Sequence, residues 1–113
     1  MTTLITRDDL QAAIASGQAT VLDALAGTYW EKQHLPGAIP LPADEVEQVH
    51  RELLPDRDAL IVAYCSNPTC NNSQQVATKL ERLGYTNVRK YREGIEDWAA
   101  AGLPLESGEQ GES

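Results

Sequence analysis

The residues able to do chemistry in this chain follow one apolar run. Ala59-Leu60-Ile61-Val62-Ala63-Tyr64 delivers Cys65, and Ser66-Asn67-Pro68-Thr69-Cys70-Asn71-Asn72 leads on to Ser73. Cys65 and Cys70 are the only 2 cysteines in 113 residues. Two are too few for a secreted disulfide framework and suit a reducing compartment in which a thiol is kept for its reactivity. A thiolate attacks an electrophile directly, so this chemistry needs no metal and no separate base, only an open site with converging donors. The segment offers backbone amides, the hydroxyls of Ser66, Thr69 and Ser73, and the side-chain amides of Asn67, Asn71 and Asn72. A cysteine can also be an inert small hydrophobe, a reading that its place at a strand end before a helix argues against.

The Cys-x4-Cys pair admits further readings. A bridge between the two would let Cys70 resolve a modified Cys65; otherwise Cys70 is a spectator. Structural zinc prefers Cys-x2-Cys spacing and four ligands close in sequence, with only His34 and His50 available as histidines, so no metal and no cofactor is expected.

The surrounding elements must position this loop. Thr6 can cap a helix over residues 7–16, with Asp9 three residues on and Gly17 ending it. Residues 19–24 form a short buried strand closing on Asp23, and residues 29–33 a helical turn. Val46, Val49, Leu53 and Leu54 have helical spacing within 44–54, before Pro55. The run 59–64 lacks period-2 alternation, as a central parallel strand covered on both faces should. Val76, Ala77, Leu80 and Leu83 give a helix from Ser73 to Gly84, residues 87–91 another strand, and residues 96–101 a last helix closed by Gly102. Strands alternating with helices imply a mostly parallel sheet in one α/β domain. That domain is expected over residues 1–105, with 106–113 a disordered acidic tail.

Composition excludes several roles. A net charge of −8 without a Lys/Arg cluster argues against nucleic acid as a partner. No apolar run nears the ~20 residues of a membrane span, and the first residues lack a signal-peptide pattern, so no membrane partner and a cytoplasmic address are expected. Asp44, Glu45 and Glu47 read as a solvated face, Trp30 and Trp98 as packing anchors.

Four pieces in order then resemble the rhodanese homology family of sulfurtransferases. VLDAL resembles the family's strand ending in Asp, and HLPGAIPLP its His-Ile-Pro-Gly-Ala stretch. Ile61-Val62-Ala63-Tyr64-Cys65 resembles the strand feeding the catalytic cysteine, and LERLGYTNVRKYREGIEDWAAAGLP the C-terminal signature. The resemblance implies a sheet of about five strands flanked by helices on both faces. It implies that Cys65 carries sulfane sulfur as a persulfide, taken from a small donor such as thiosulfate and passed to a thiol or protein acceptor by a monomer or weak homodimer. Loop amides and the following helix N-terminus would converge on its sulfur and favour thiolate or persulfide. The family counterpart of His34 shapes a turn, and Asp23 either orients loop backbone or caps a turn.

Departures from the pattern leave the activity open. The family loop carries arginines and a glycine; residues 66–72 carry none, and the loop is longer. Without them an anionic donor forgoes charge-assisted hydrogen bonds of about 1.5–3 kcal/mol each, so thiosulfate is expected to be a poor substrate. Leu25 stands where the family has an Arg after the Asp, and Glu93-Gly94 where it has Gly-Gly. A catalytically silent module, binding a protein or sensing redox state through Cys65 and Cys70, is the alternative. Phosphatase chemistry on a related fold needs an arginine closing the loop, and none stands between Cys65 and Ser73.

Overall fold

A computed structural model describes residues 2–25 and 27–107. Its strands are β1 (Thr3–Leu4), β2 (Ala19–Asp23), β3 (Ile39–Pro40), β4 (Leu60–Tyr64) and β5 (Val88–Tyr91). Between them run α1 (Arg7–Ala15), α2 (Gly27–Lys32), α3 (Val46–Leu53), α4 (Asn72–Arg82) and α5 (Gly94–Ala100). The strands pair in the order β1-β5-β4-β2-β3, all parallel, with β4 in the centre as its unbroken apolar run requires.

Alternate residues of β4 feed two cores. Ile61 and Ala63 join Val46 of α3 and Val76, Ala77 and Leu80 of α4 on one face. Val62 and Tyr64 join Leu10 of α1 and Ile95 and Trp98 of α5 on the other. Helices thus cover both faces, and each fully buried aliphatic side chain contributes about 1.5–3 kcal/mol to holding the layers together. The central strand is thereby fixed before any polar contact is counted. No helix among the described residues is long and apolar enough to cross a membrane.

Local signals explain most boundaries. Thr6 Oγ1 accepts from Asp9 N at 3.1 Å, capping α1, and Gly17 follows the helix at φ +74°. Strands β1 and β3 are not among the sequence expectations, because two residues carry no periodicity. Both lie at sheet edges, where Pro40 is tolerated without its N–H. The helix expected over 44–54 divides into a 3-10 turn, Ala43–Glu45, and α3.

Just past the expected boundary at residue 105 the chain pairs with the His34 turn. Glu106 is ordered: its backbone N–H donates to His34 O at 2.8 Å and its carbonyl accepts from His34 N at 2.8 Å. This bridge supplies backbone partners for the buried His34 turn. The rest of the expected tail, residues 108–113, lies outside the described residues.

Candidate functional site

At the end of β4 the chain enters the cysteine loop, and its backbone is anchored before any side chain acts. Ile95 N donates to Cys65 O at 2.9 Å, and Glu96 N donates to Ser66 O at 3.0 Å. The first amides of α5, orphaned in an isolated helix, are therefore satisfied by the loop. This is why α5 begins at Gly94 and not at the expected Glu96. Gly94 has φ +77°, and a Cβ there would lie 2.5 Å from the Ser66 carbonyl carbon and oxygen. Of the Glu93-Gly94 pair, the second residue is the one the approach of the two segments requires.

The loop then reverses on an Asn-Pro turn. Asn67 Oδ1 accepts from Thr69 N at 3.1 Å and from Thr69 Oγ1 at 2.6 Å, while Cys70 N donates to Asn67 O at 3.1 Å. Pro68 presets the first turn dihedral, and the Asn side chain mimics a backbone turn. Asn67 Nδ2 donates to Glu96 Oε2 at 3.2 Å, tying the turn to α5. The outcome places Cys70 back against Cys65, and the two are joined as a disulfide with Cα atoms 6.2 Å apart, within the usual span of such bonds.

The donors divide differently from the sequence expectation. The amides of Thr69 and Cys70 are spent on Asn67. Asn67 and Thr69 are turn-builders by their own hydrogen bonds. Asn71, the N-cap of α4, makes no side-chain cap bond to that helix; Asn72 is exposed and Ser73 buried in its first turn. Cys65 itself is 1% exposed, whereas Cys70 is half-buried. Ser66 opens onto a depression of about 370 Å³ shared with Leu25, Tyr29, Lys32, Ile95 and Glu96. Tyr29 and Lys32, on α2, are not among the sequence candidates, because only the chain reversal after β2 brings them to the loop.

Asp23 and His34 belong to a neighbouring corner. Asp23, fully buried, accepts from Leu25 N at 2.8 Å and from the Tyr64 hydroxyl at 2.8 Å. Tyr64 in turn accepts from Leu35 N at 3.1 Å. Asp23 is thus a turn cap that fixes Tyr64, and Tyr64 fixes the His34–Gly37 turn. Burial, with the Asp23 charge beside it, pushes the Tyr64 hydroxyl well above the ordinary phenol range, so it stays a neutral donor. Tyr64 is absent from the sequence candidates because a strand-end tyrosine has no spacing signature; the β2–β4 register, which pairs Asp23 with Tyr64, reveals it.

His34 is fully buried, its ring stacked on Trp30 with centroids 4.3 Å apart. Nδ1 lies 2.7 Å from Trp30 O, and because a carbonyl only accepts, Nδ1 carries the proton. Nε2 has no hydrogen-bond partner among the described residues and lies 3.8 Å from Glu106 Oε1. The Nδ1–H bond to Trp30 O ties the ring to the end of α2. Among the described residues no three His, Cys, Asp or Glu side chains gather as metal ligands.

The family model described as "Rhodanese-like domain" matches residues 6–101. The chain is 34% identical over 104 residues to the HTH-type transcriptional regulator Rv0324 of Mycobacterium tuberculosis, covering 92% of this chain and 45% of that protein. It therefore spans less than half the length of that relative. Its fold superposes on the BH2092 protein from Bacillus halodurans with a TM-score of 0.84 at 27% identity, covering 94% of this chain and 77% of that one. It also superposes on a thiosulfate sulfurtransferase from Pseudomonas aeruginosa with a TM-score of 0.83 at 26% identity, covering 96% of this chain and 21% of that one. The match over residues 6–101, on a five-stranded parallel sheet that presents Cys65 at the end of its central strand, establishes that this chain belongs to the rhodanese-like domain family.

Proposed function

We propose that the chain is a sulfurtransferase or sulfane-sulfur carrier in which Cys65 bears the sulfur as a persulfide. The observation that carries this reading is the anchoring of the Cys65 and Ser66 carbonyls on the start of α5, which fixes the cysteine at the end of β4 through its backbone. The N-terminus of α4, which Asn71 does not cap, follows the loop and favours negative charge on thiolate or persulfide.

The donor would be a sulfane-sulfur compound of low charge. The loop lacks cationic side chains, and Lys32 is the cation beside Ser66 in the neighbouring depression. A dianion such as thiosulfate forgoes the charge-assisted hydrogen bonds that loop arginines would make, about 1.5–3 kcal/mol each. A persulfide presents at most one negative charge at its reacting end, and a polysulfide chain spreads its charge over several sulfurs. The acceptor would be a thiol, free or on a protein.

Exposing the reduced chain to thiosulfate, mercaptopyruvate and a polysulfide in turn, and weighing the intact protein, tests the reading. A cyanide-labile gain of one sulfur is expected, larger with polysulfide than with thiosulfate. No adduct from any donor would refute it. The pairing of Cys65 with Cys70 favours a second reading, a module without transferase activity that registers thiol redox state. The resemblance to a transcriptional regulator agrees with a module of that kind. It predicts reversible disulfide formation without sulfur uptake.

A further inference from the structure

Cys70 has no part in the sulfurtransferase chemistry above, yet the loop is built to return it to Cys65. The Asn67-Pro68-Thr69-Cys70 turn is closed by three hydrogen bonds and tied to α5 by a fourth. Both ends of the pair are therefore positioned by backbone and side-chain contacts that do not involve sulfur. The two cysteines also differ in access: Cys65 is 1% exposed and Cys70 half-buried. In the disulfide form an external thiol therefore reaches Cys70 first.

We infer that Cys70 is a resolving cysteine that makes the chain a dithiol-dependent reductase of sulfane sulfur, releasing sulfide. The inference rests on the persulfide reading of Cys65. In the first step the Cys65 thiolate attacks the outer sulfur of a donor persulfide, forming Cys65–S–SH and releasing the donor's thiol. The Cys70 thiolate then attacks Sγ of Cys65; the Cys65–Cys70 bond forms, the bond to the outer sulfur breaks, and that sulfur leaves as hydrosulfide. The sulfane sulfur is reduced by two electrons and the two cysteine thiols are oxidised to the disulfide. A small or protein dithiol reopens the site by attacking Sγ of Cys70, with Cys65 leaving as thiolate, and its second thiol clears the mixed disulfide. The sum is donor persulfide plus dithiol giving donor thiol, hydrogen sulfide and cyclic disulfide.

The asymmetry of the pair suits this sequence. The half-buried cysteine is the point of entry for the reductant, and attack on its sulfur releases the buried one as thiolate. Because Cys70 is held in the same loop, its effective concentration at Cys65 is on the order of millimolar or more, enough to compete with outside thiols at similar concentrations.

The test uses the full chain, reduced and freed of reductant, mixed with one equivalent of glutathione persulfide as donor. Intact mass, hydrogen sulfide and the state of both cysteines are followed for the natural chain and for Cys70→Ser. The natural chain should release one equivalent of sulfide, lose two hydrogens and end as the Cys65–Cys70 disulfide, with at least about tenfold less persulfide than the variant, given intramolecular competition. Cys70→Ser should hold one added sulfur on Cys65 until dithiothreitol is supplied. Equal, stable persulfide on both proteins would overturn the resolving role while leaving the sulfur-carrier reading intact. Absence of added sulfur and of sulfide from both would overturn the carrier reading, and this inference with it.

Discussion

Two neighbouring parts of the molecule hold polar residues, and they are held in opposite ways. In the loop after β4, backbone carbonyls of Cys65 and Ser66 and the turn at Asn67 do the anchoring, and the two sulfurs are joined to each other. In the corner joining the end of β2 to the His34 turn, the side chains are the anchors: Asp23 binds Leu25 and Tyr64, Tyr64 binds Leu35, and His34 binds Trp30. A side chain whose hydrogen bonds hold a turn is fixed by that turn, although His34 Nε2 keeps no hydrogen-bond partner among the described residues. The difference sets the loop that holds the cysteines by its backbone apart from a corner held by its side chains.

The largest effect should come from the loop. Replacing Cys65 with Ser is expected to abolish sulfur uptake from every donor, read by intact mass; uptake undiminished on Cys70 would erase the distinction between the cysteines. Next comes Gly94→Ala, which combines left-handed strain with a clash against the Ser66 carbonyl and should cost about 2–6 kcal/mol in denaturant unfolding. A neutral result would mean that the α5 contact does not hold the loop. Tyr64→Phe strikes the corner, leaving Asp23 and Leu35 N short of a partner, and should cost about 1–3 kcal/mol while folded protein still takes up sulfur. Loss of uptake with stability unchanged would move Tyr64 into the chemistry.

The smallest effect concerns the far side of α5. Tyr91 donates to Asp97 at 2.5 Å and Arg7 pairs with it at 3.0 Å, and these contacts hold the Asp97 carboxyl below its ordinary range. A depressed carboxylate stabilises the fold above its unfolded pKa, and that contribution fades as pH falls through the lower folded value. Partly exposed, the group is worth under about 1 kcal/mol. Asp97→Asn should therefore flatten the acid limb of the stability–pH curve slightly; an unchanged limb would show that this contact does not tie α5 to α1.

How much of this was legible in the sequence follows from the range of the forces involved. The Thr6 cap, the apolar run of β4 and the helical stripe at Val76, Ala77 and Leu80 are local patterns, and each stands where its residues indicate. Cys65 and the loop were visible because a cysteine at the end of a buried strand is a local signal as well. Contacts between segments distant in sequence were not visible. Glu106 closing on His34, Gly94 against Ser66 and Tyr64 between Asp23 and Leu35 depend on how strands line up, which spacing within one segment does not encode. The same holds for the loop amides: Asn67 draws in those of Thr69 and Cys70, a competition that composition alone does not reveal.

The central claim is that sulfur is carried by Cys65, and the direct measurement is peptide mapping of the reduced chain after exposure to a polysulfide, with Cys70→Ser and Cys65→Ser treated in parallel. The account predicts a cyanide-labile sulfur on the Cys65 peptide, retained best in Cys70→Ser and absent from Cys65→Ser. Sulfur on the Cys70 peptide, persisting in Cys65→Ser, would contradict it.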